Sequence, residues 1–474
     1  MASKALASLC LCALFAGCRV FDPPEYTARR AVTLLQNTGN YDLLSDVQEL
    51  SLGRAVDISL QNNPDYRAAF LAVDAARMAY YQTLAAYLPE LSGDGAISQS
   101  LTKSTGLKNP PDTVTPYDNE FTGAVGLRAS YLVFDGFARE LNTLAARQEE
   151  LSQEDLRVNV ERLLRRSVAY AYWDVLLAKA QQEIAAGDIV YQNSNLAQAE
   201  VRYRAGHISK SEFLNFKIML IDSQALMTKA NEQYNIAIYA LACLMGYPSG
   251  TLPESLEFPL LAPDGSAPLL SAAACIDLAL DNRPDLAALS RRIKILQFQK
   301  WSNLSDYLPR ITAFADTSYS PQLNNYSGYS LEHRGWNATN FTYGGELNWL
   351  LFDGLRSYNR FRQYQELEHQ ALLSLDAAAL RAINEVRIGF EHLQTAHALV
   401  EYYRENLGYI TEQRNLVTVE YWAGNVTITR LNEAQNELVN AQSKLAIELA
   451  QLHKSAAQLA AAANVDIGLI LQGR

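Results

Sequence analysis

Residues 121–136 read FTGAVGLRASYLVFDG, and 218 residues later 339–354 read TNFTYGGELNWLLFDG. In the first, Phe121, Val125, Leu127, Tyr131 and Val133 share one parity, with Thr122, Gly126, Arg128 and Ser130 on the other. In the second, Phe341, Tyr343, Leu347, Trp349 and Leu351 oppose Thr342, Gly344, Glu346 and Asn348. Period-2 alternation puts apolar side chains on one strand face and polar ones on the other. The run is long enough for a tilted strand to cross a bilayer, which takes about 9–11 residues. A soluble sandwich would alternate in the same way. It is disfavoured because each copy supplies only two strands, and an isolated pair is marginally stable. Four strands cannot close a pore, so several chains must contribute.

The alternating stretch belongs to a duplication that spans the chain. Asn62-Asn63-Pro64-Asp65 returns as Asn282-Arg283-Pro284-Asp285, and Tyr87-Leu88-Pro89 as Tyr307-Leu308-Pro309, both at an offset of 220 (282 − 62). Leu132-Val133-Phe134-Asp135-Gly136 and Tyr203-Arg204-Ala205-Gly206 return at an offset of 218 (350 − 132) as Leu350-Leu351-Phe352-Asp353-Gly354 and Tyr421-Trp422-Ala423-Gly424. The two-residue slip falls between Pro89 and Leu132, where a variable loop is expected. Five prolines between Pro248 and Pro268 mark the linker between the copies. The expected layout is a signal segment over 1–17, an N-terminal segment over 18–54, a first repeat over 55–246, the linker over 247–271, a second repeat over 272–463 and a tail over 464–474.

Each repeat opens with a helical stretch, about 55–86 and 273–306, stopped at Tyr-Leu-Pro because proline disfavours helix at and before its own position. Strands follow, over about 90–134 and 310–352. A very long helix then runs to a Tyr-X-Ala-Gly turn. No proline interrupts 137–204, and an unbroken helix of that length measures about 100 Å. Leu156, Val160, Leu164, Val168, Ala171 and Val175 keep one stripe at helical spacing; on the second return helix Leu431, Ala434, Leu438, Ala441, Leu445 and Leu452 do the same. Gly206 and Gly424 sit where an antiparallel helical hairpin must turn. A cytosolic coiled coil would share these helices but leaves the export-like start and the alternating strands unexplained.

The chain of 474 residues carries 40 bases and 51 acids, a net charge of −11, which argues against a nucleic-acid partner. Lys4 followed by the apolar run 5–16 resembles a secretion signal, too short to span a membrane. It ends in Phe15-Ala16-Gly17-Cys18, similar to the lipobox at which bacterial lipoproteins are cleaved and acylated on cysteine. Cys18 is the expected lipid attachment point, and Arg19 in place of aspartate favours outer-membrane sorting. Loss of 1–17 would remove one base and no acid, leaving −11 − 1 = −12. After the signal and Cys18 only Cys243 and Cys275 remain, too few for a disulfide framework. No phosphate-cradling loop is present, and His392 and His397 at i, i+5 do not share a helix face for a metal. An enzyme, a cofactor and a metal site are therefore not expected.

The duplicated Asn-X-Pro-Asp openings, Tyr-Leu-Pro entries, Phe-Asp-Gly exits and glycine-bearing tips resemble the TolC-like outer membrane efflux protein family, specifically its lipoprotein branch, over roughly 50–460. That resemblance implies a mainly α fold with a membrane β part. Long antiparallel coiled-coil helices form a periplasmic barrel, and each chain of a homotrimer gives four strands to a twelve-stranded β-barrel. It implies an equatorial girdle from 24–54, the 247–271 linker and the tail. It also implies a passive exit channel, opened by a periplasmic adaptor protein and driven by an inner-membrane pump of RND or ABC type. Adaptor contact would fall at Tyr203, Gly206, Tyr421 and Gly424. The family often places aspartates six and nine residues past the tip glycine; here those positions hold Glu212 and Asn215, then Arg430 and Glu433, so Glu212, Arg430 and Glu433 are candidates for a gate. Asp94, Arg128, Asp316 and Glu346 would face the barrel lumen. The alternative is an envelope scaffold lipoprotein whose hairpins bind partners without forming a pore.

Overall fold

Proline decides the first feature of each repeat. In a computed structural model, which describes residues 27, 29, 48–103, 117–253, 255–261, 270–326, 334–466, 468 and 470, the opening helical stretch is two helices rather than the single one expected. Helix α1 (Leu52–Asn62) stops at Asn63, whose ψ of 123° is extended, and α2 (Pro64–Ala85) restarts on Pro64. In the second repeat α5 (Ala272–Asn282) stops at Arg283, ψ 122°, and α6 (Pro284–Ser302) restarts on Pro284. The ring removes the N–H that would continue the ladder, while the first helical position tolerates its absence. The side-chain oxygen of Asn63 accepts from the N–H of Asp65 at 3.0 Å and Tyr66 at 3.2 Å, capping the restart.

Strands β1 (Glu90–Lys103), β2 (Tyr117–Phe134), β3 (Arg310–Tyr326) and β4 (Arg334–Asn348) form one antiparallel sheet in the order β1-β2-β3-β4. β4 ends at Asn348, so Trp349 and Leu351 lie beyond the ladder into which the alternation was expected to carry them. Between β2 and β3 the register shifts at Leu132/Phe134. The inter-strand segments 104–116 and 327–333, including the expected variable loop, lie outside the described residues, as do the candidate signal and Cys18.

The Phe-Asp-Gly motif turns strand into helix. Phe137 and Leu355 both adopt positive φ, 70° and 68°, which costs a side-chain-bearing residue about 1–2 kcal/mol. The preceding aspartate offsets this by capping the new helix: Asp135 Oδ2 accepts from Arg139 N–H at 2.9 Å, and Asp353 Oδ2 from Ser357 N–H at 2.8 Å. The helices so started are α3 (Ala138–Arg204) and α7 (Arg356–Trp422), each 67 residues, or about 100 Å at 1.5 Å per residue. The return helices are α4 (Lys210–Leu244) and α8 (Ile428–Ala463).

The chain divides into two compact units. One comprises Met1–Arg67, Leu164–Ala267 and Gln394–Ala457. Its helices bury the stripe Leu164, Val168, Ala171 and Val175, although Leu156, further up the same expected stripe, is exposed. The linker is tied in by hydrogen bonds from Leu50 N–H to Glu257 O and Glu257 N–H to Gln48 O, both 2.9 Å, while the Tyr172 hydroxyl donates to Leu50 O. The other unit comprises Ala68–Leu163, Pro268–Leu393 and Gln458–Arg474, and carries the sheet. There the buried Arg283 donates to Asp285 at 2.7 Å and Glu385 at 2.6 Å, a charge kept inside by paired carboxylates. Cys243 and Cys275 are free.

Gly246 ends α4 with φ 74°, and a Cβ built on it would lie 2.7 Å from the backbone oxygen of Asn62. Gly246→Ala is therefore expected to cost roughly 2–4 kcal/mol, the left-handed penalty plus displacement of a backbone that cannot yield. Gly206→Ala, where the added carbon meets open space, loses only the first part. Thermal unfolding followed by circular dichroism in detergent separates the two; equal losses would refute the steric cause.

Candidate channel wall and hairpin tip

The register settles which strand residues share a face. Asp94 lies opposite Gly126, Arg128 opposite Asp316, Asp316 opposite Thr342, and Thr312 opposite Glu346. Directly opposed residues point the same way, so Asp94, Arg128, Asp316 and Glu346 occupy one face. Where strand side chains are described (90–100, 122–134, 310–321 and 338–348), the charged residues are Glu90, Asp94, Arg128, Arg310, Asp316 and Glu346, and every one is on that face. Four acids against two bases leave it net acidic. Arg128 stands over the Phe314 ring at 5.3 Å, and the Asp94 carboxylate lies where a Cβ on Gly126 would be 2.9 Å away.

Among these described side chains the opposite face is free of charge, and it carries Leu91, Ile97, Val125, Leu127, Tyr131, Tyr319, Phe341, Tyr343 and Leu347, all exposed. Phe341, Tyr343 and Leu347 show 70%, 76% and 63% of their surface. A soluble sheet would cover such a face with a second layer, whereas lipid requires it bare. No helix among the described residues is long and apolar enough to cross a membrane. Among the described residues β1 and β4 each have one strand neighbour, so the sheet offers two open edges.

At the hairpin turns, the Gly206 N–H donates to Tyr203 O at 3.0 Å and the His207 N–H to Arg202 O at 2.9 Å, the double bond of a helix ended by a left-handed residue. Gly424 and Asn425 repeat this on Tyr421 O and Glu420 O. Gly206 and Gly424 are exposed at the apices. Behind them Ala199, Phe216, Val417, Tyr421, Leu431 and Ala434 form a buried cluster. Phe216 stacks on Trp422 with ring centres 6.0 Å apart, and Tyr203 stacks on Phe213 at 4.9 Å. Arg202 sits over Trp422 at 4.6 Å and donates to its carbonyl.

Polar contacts join the two hairpins. The Tyr421 hydroxyl donates to Glu212 Oε1 at 3.1 Å, and Asn432 Nδ2 donates to Asn215 Oδ1 at 2.7 Å. Burial, then the neighbouring Glu212 charge, push the Tyr421 phenol well above its ordinary value, so it remains a donor. Ser209 caps α4, accepting from the Glu212 N–H at 3.1 Å.

A model of the outer membrane efflux protein family matches residues 55–247 and 275–465. The chain belongs to that family. Among its relatives is the alkaline protease secretion protein AprF of Pseudomonas aeruginosa, 26% identical over 385 residues, covering 80% of this chain and 76% of the relative. Another is the pyoverdine export outer membrane protein OpmQ of Pseudomonas aeruginosa, 25% identical over 409 residues, covering 84% and 81%. The fold matches solved structures of CusC (TM-score 0.71, 20% identity, covering 89% of this chain and 94% of that one) and of VceC from Vibrio cholerae (0.69, 19%, 88% and 96%). This efflux protein is thus an exit channel of the outer membrane, and its family and relatives are channel proteins.

Within the efflux protein the expected tip and gate residues part company. Tyr203, Gly206 and Gly424 present surface at the tips, whereas Tyr421 is 6% exposed and faces the inside of the hairpin pair, where it packs and hydrogen-bonds. Arg430 does not bridge to Glu212. It pairs with Glu433 at 3.4 Å on its own helix, both side chains exposed, and such an i, i+3 pair adds about 0.2–0.5 kcal/mol. Glu212 is taken by Tyr421 instead. Sequence reasoning missed Glu90 and Arg310 on the charged face, although their parity signals them. It also missed the Phe216–Trp422 stack, for which a lone helical aromatic gives no signal.

Proposed function

We propose that this efflux protein acts as a homotrimeric, passive duct. Each chain gives β1–β4 to a closed barrel with the charged face turned to a water-filled lumen, and its helices stand in the periplasm. A lipid on Cys18 would anchor it to the outer membrane. The hairpin tips would receive a periplasmic adaptor at Tyr203, Gly206 and Gly424, and an inner-membrane pump of RND or ABC type would supply the energy. The observation that carries this reading is the strand wall: among the described residues, charge confined to one face, bare apolar surface on the other, and two edges without a strand partner. Relatives are named for alkaline protease secretion, pyoverdine export and cation efflux, so cargo class is assigned here to the pump rather than to the wall.

The Tyr421–Glu212 and Asn432–Asn215 contacts hold the hairpins of one chain together in the closed duct, while the exposed Arg430–Glu433 pair can exchange its weak i, i+3 bond for a contact with a neighbouring copy or the adaptor. Tyr421→Phe removes one buried donor and leaves the ring packing intact. Losing that charge-assisted bond, about 1.5–3 kcal/mol, is expected to raise the open fraction about tenfold or more. Purified protein in a planar bilayer should show rare openings for the wild type and frequent ones for Tyr421→Phe. Absence of conductance in both across voltages and salts would overturn the channel reading.

A further inference from the structure

Asp188 on α3 is buried and, among the described residues, its partners are neutral side chains with no ion pair. Its Oδ1 accepts from Gln435 Nε2 of α8 at 2.7 Å and Gln192 Nε2 of its own helix at 3.3 Å, and its Oδ2 accepts from the Ser223 hydroxyl of α4. Gln192, Ser223 and Gln435 are each more than nine-tenths buried. A buried carboxylate without a counter-ion persists only where several donors remain on it. Gln435 Oε1 is buried and without a partner, so the bond to Asp188 is what orients that amide. The arrangement is one-sided: 218 residues after Asp188 stands Asn406, and 218 before Gln435 stands Lys217. A carboxylate of the first repeat's hairpin thus captures the second repeat's return helix. Apolar stripes recurring every three to four residues tolerate sliding by a turn, whereas a polar layer is satisfied in one register.

We propose that Asp188 is a positioning residue that sets the axial register of α8 against α3 and α4, and through it the height at which the tip contacts meet. Gln435 lies three residues past Asn432 on α8, and Ser223 eight past Asn215 on α4, about 4.5 Å and 12 Å along their helices. A slip of one turn, about 5.4 Å, would pull Asn432 off Asn215. The proposal rests on the reading of the tip as the closed end of the duct.

Full-length protein in a planar bilayer provides the test. Asp188→Asn removes the charge that demands three donors and is expected to raise the closed-state leak about tenfold. Asp188→Asn combined with Gln435→Glu restores a carboxylate across the same contact and should return the leak to the wild-type level. A lowered melting temperature with an unchanged leak, or a double variant as leaky as the single one, overturns the proposal. Should Asp188→Asn fail to assemble, Gln435→Leu carries the same expectation, since it keeps the carboxylate with two donors. A conducting Tyr421→Phe beside a tight Asp188→Asn defeats this inference alone, whereas silence of every variant defeats the channel reading and this one with it.

Discussion

Leu127→Arg is expected to remove the protein from the outer membrane, while Ser130→Arg, three residues along the same strand, leaves it there. Leu127 is exposed on the apolar face, paired with Gly93 on one side and Thr317 on the other. Ser130 shares the face of Arg128. Arginine on the lipid face of a barrel costs about 2–4 kcal/mol at the bilayer midplane, and a trimer would bear that cost three times. If the charged face lines the proposed lumen, the same side chain there would remain in water beside an acidic wall. Fractionation of envelopes, with heat-modifiable SDS-resistant oligomers as the readout, measures the difference. Equal loss in both variants would mean that the exposed face does not meet lipid, and would favour the scaffold alternative.

Phe216→Ala is expected to loosen the hairpin tip by about 3–5 kcal/mol, the usual range for an aromatic cut back to alanine in a closed core. Phe216 is 1% exposed and contacts both Tyr421 and Trp422, with ring centres 6.0 Å away in each case. It therefore links α4 to the end of α7, and nothing in the neighbouring Ala199 or Ala434 is large enough to fill the space it would leave. The loss is local, because opening free energies vary along a helical protein and turns open first. Tryptic cleavage near Arg202, Arg204 and Lys210 should accelerate by two orders of magnitude or more, about 1.4 kcal/mol per tenfold change, with helix content unchanged. Unaltered protection would show that the cluster does not govern the tip.

Both variants probe features that differ in how readable they are from the chain alone. The strand wall is legible because alternation needs only residues two apart, and charge and hydrocarbon separate position by position along β2 and β4. The long helices are legible because nothing between 137 and 204 breaks them, and the turns because a left-handed residue must close them. The break at Asn63-Pro64 was written in the sequence as well, but a helix can also start on proline, and both halves keep helical character. Trp349 and Leu351 continue the period of β4 beyond its last ladder partner, since alternation records which way a side chain points and not where pairing stops.

Periodicity, duplication and proline placement, which act within a few residues or between copies of one pattern, were enough to determine the class of fold, the membrane wall and the order of the elements. What met across the helices was decided only in three dimensions. Tyr421 reaches Glu212 over 209 residues, and Asp188 gathers Ser223 from 35 away and Gln435 from 247 away. Asp188, Ser223 and Gln435 each read alone as an ordinary polar residue on a long helix, and the roles expected of Tyr421 and Glu212 did not join them to each other. Their partnership depends on the register and rotation of separate helices, which no spacing along one chain encodes.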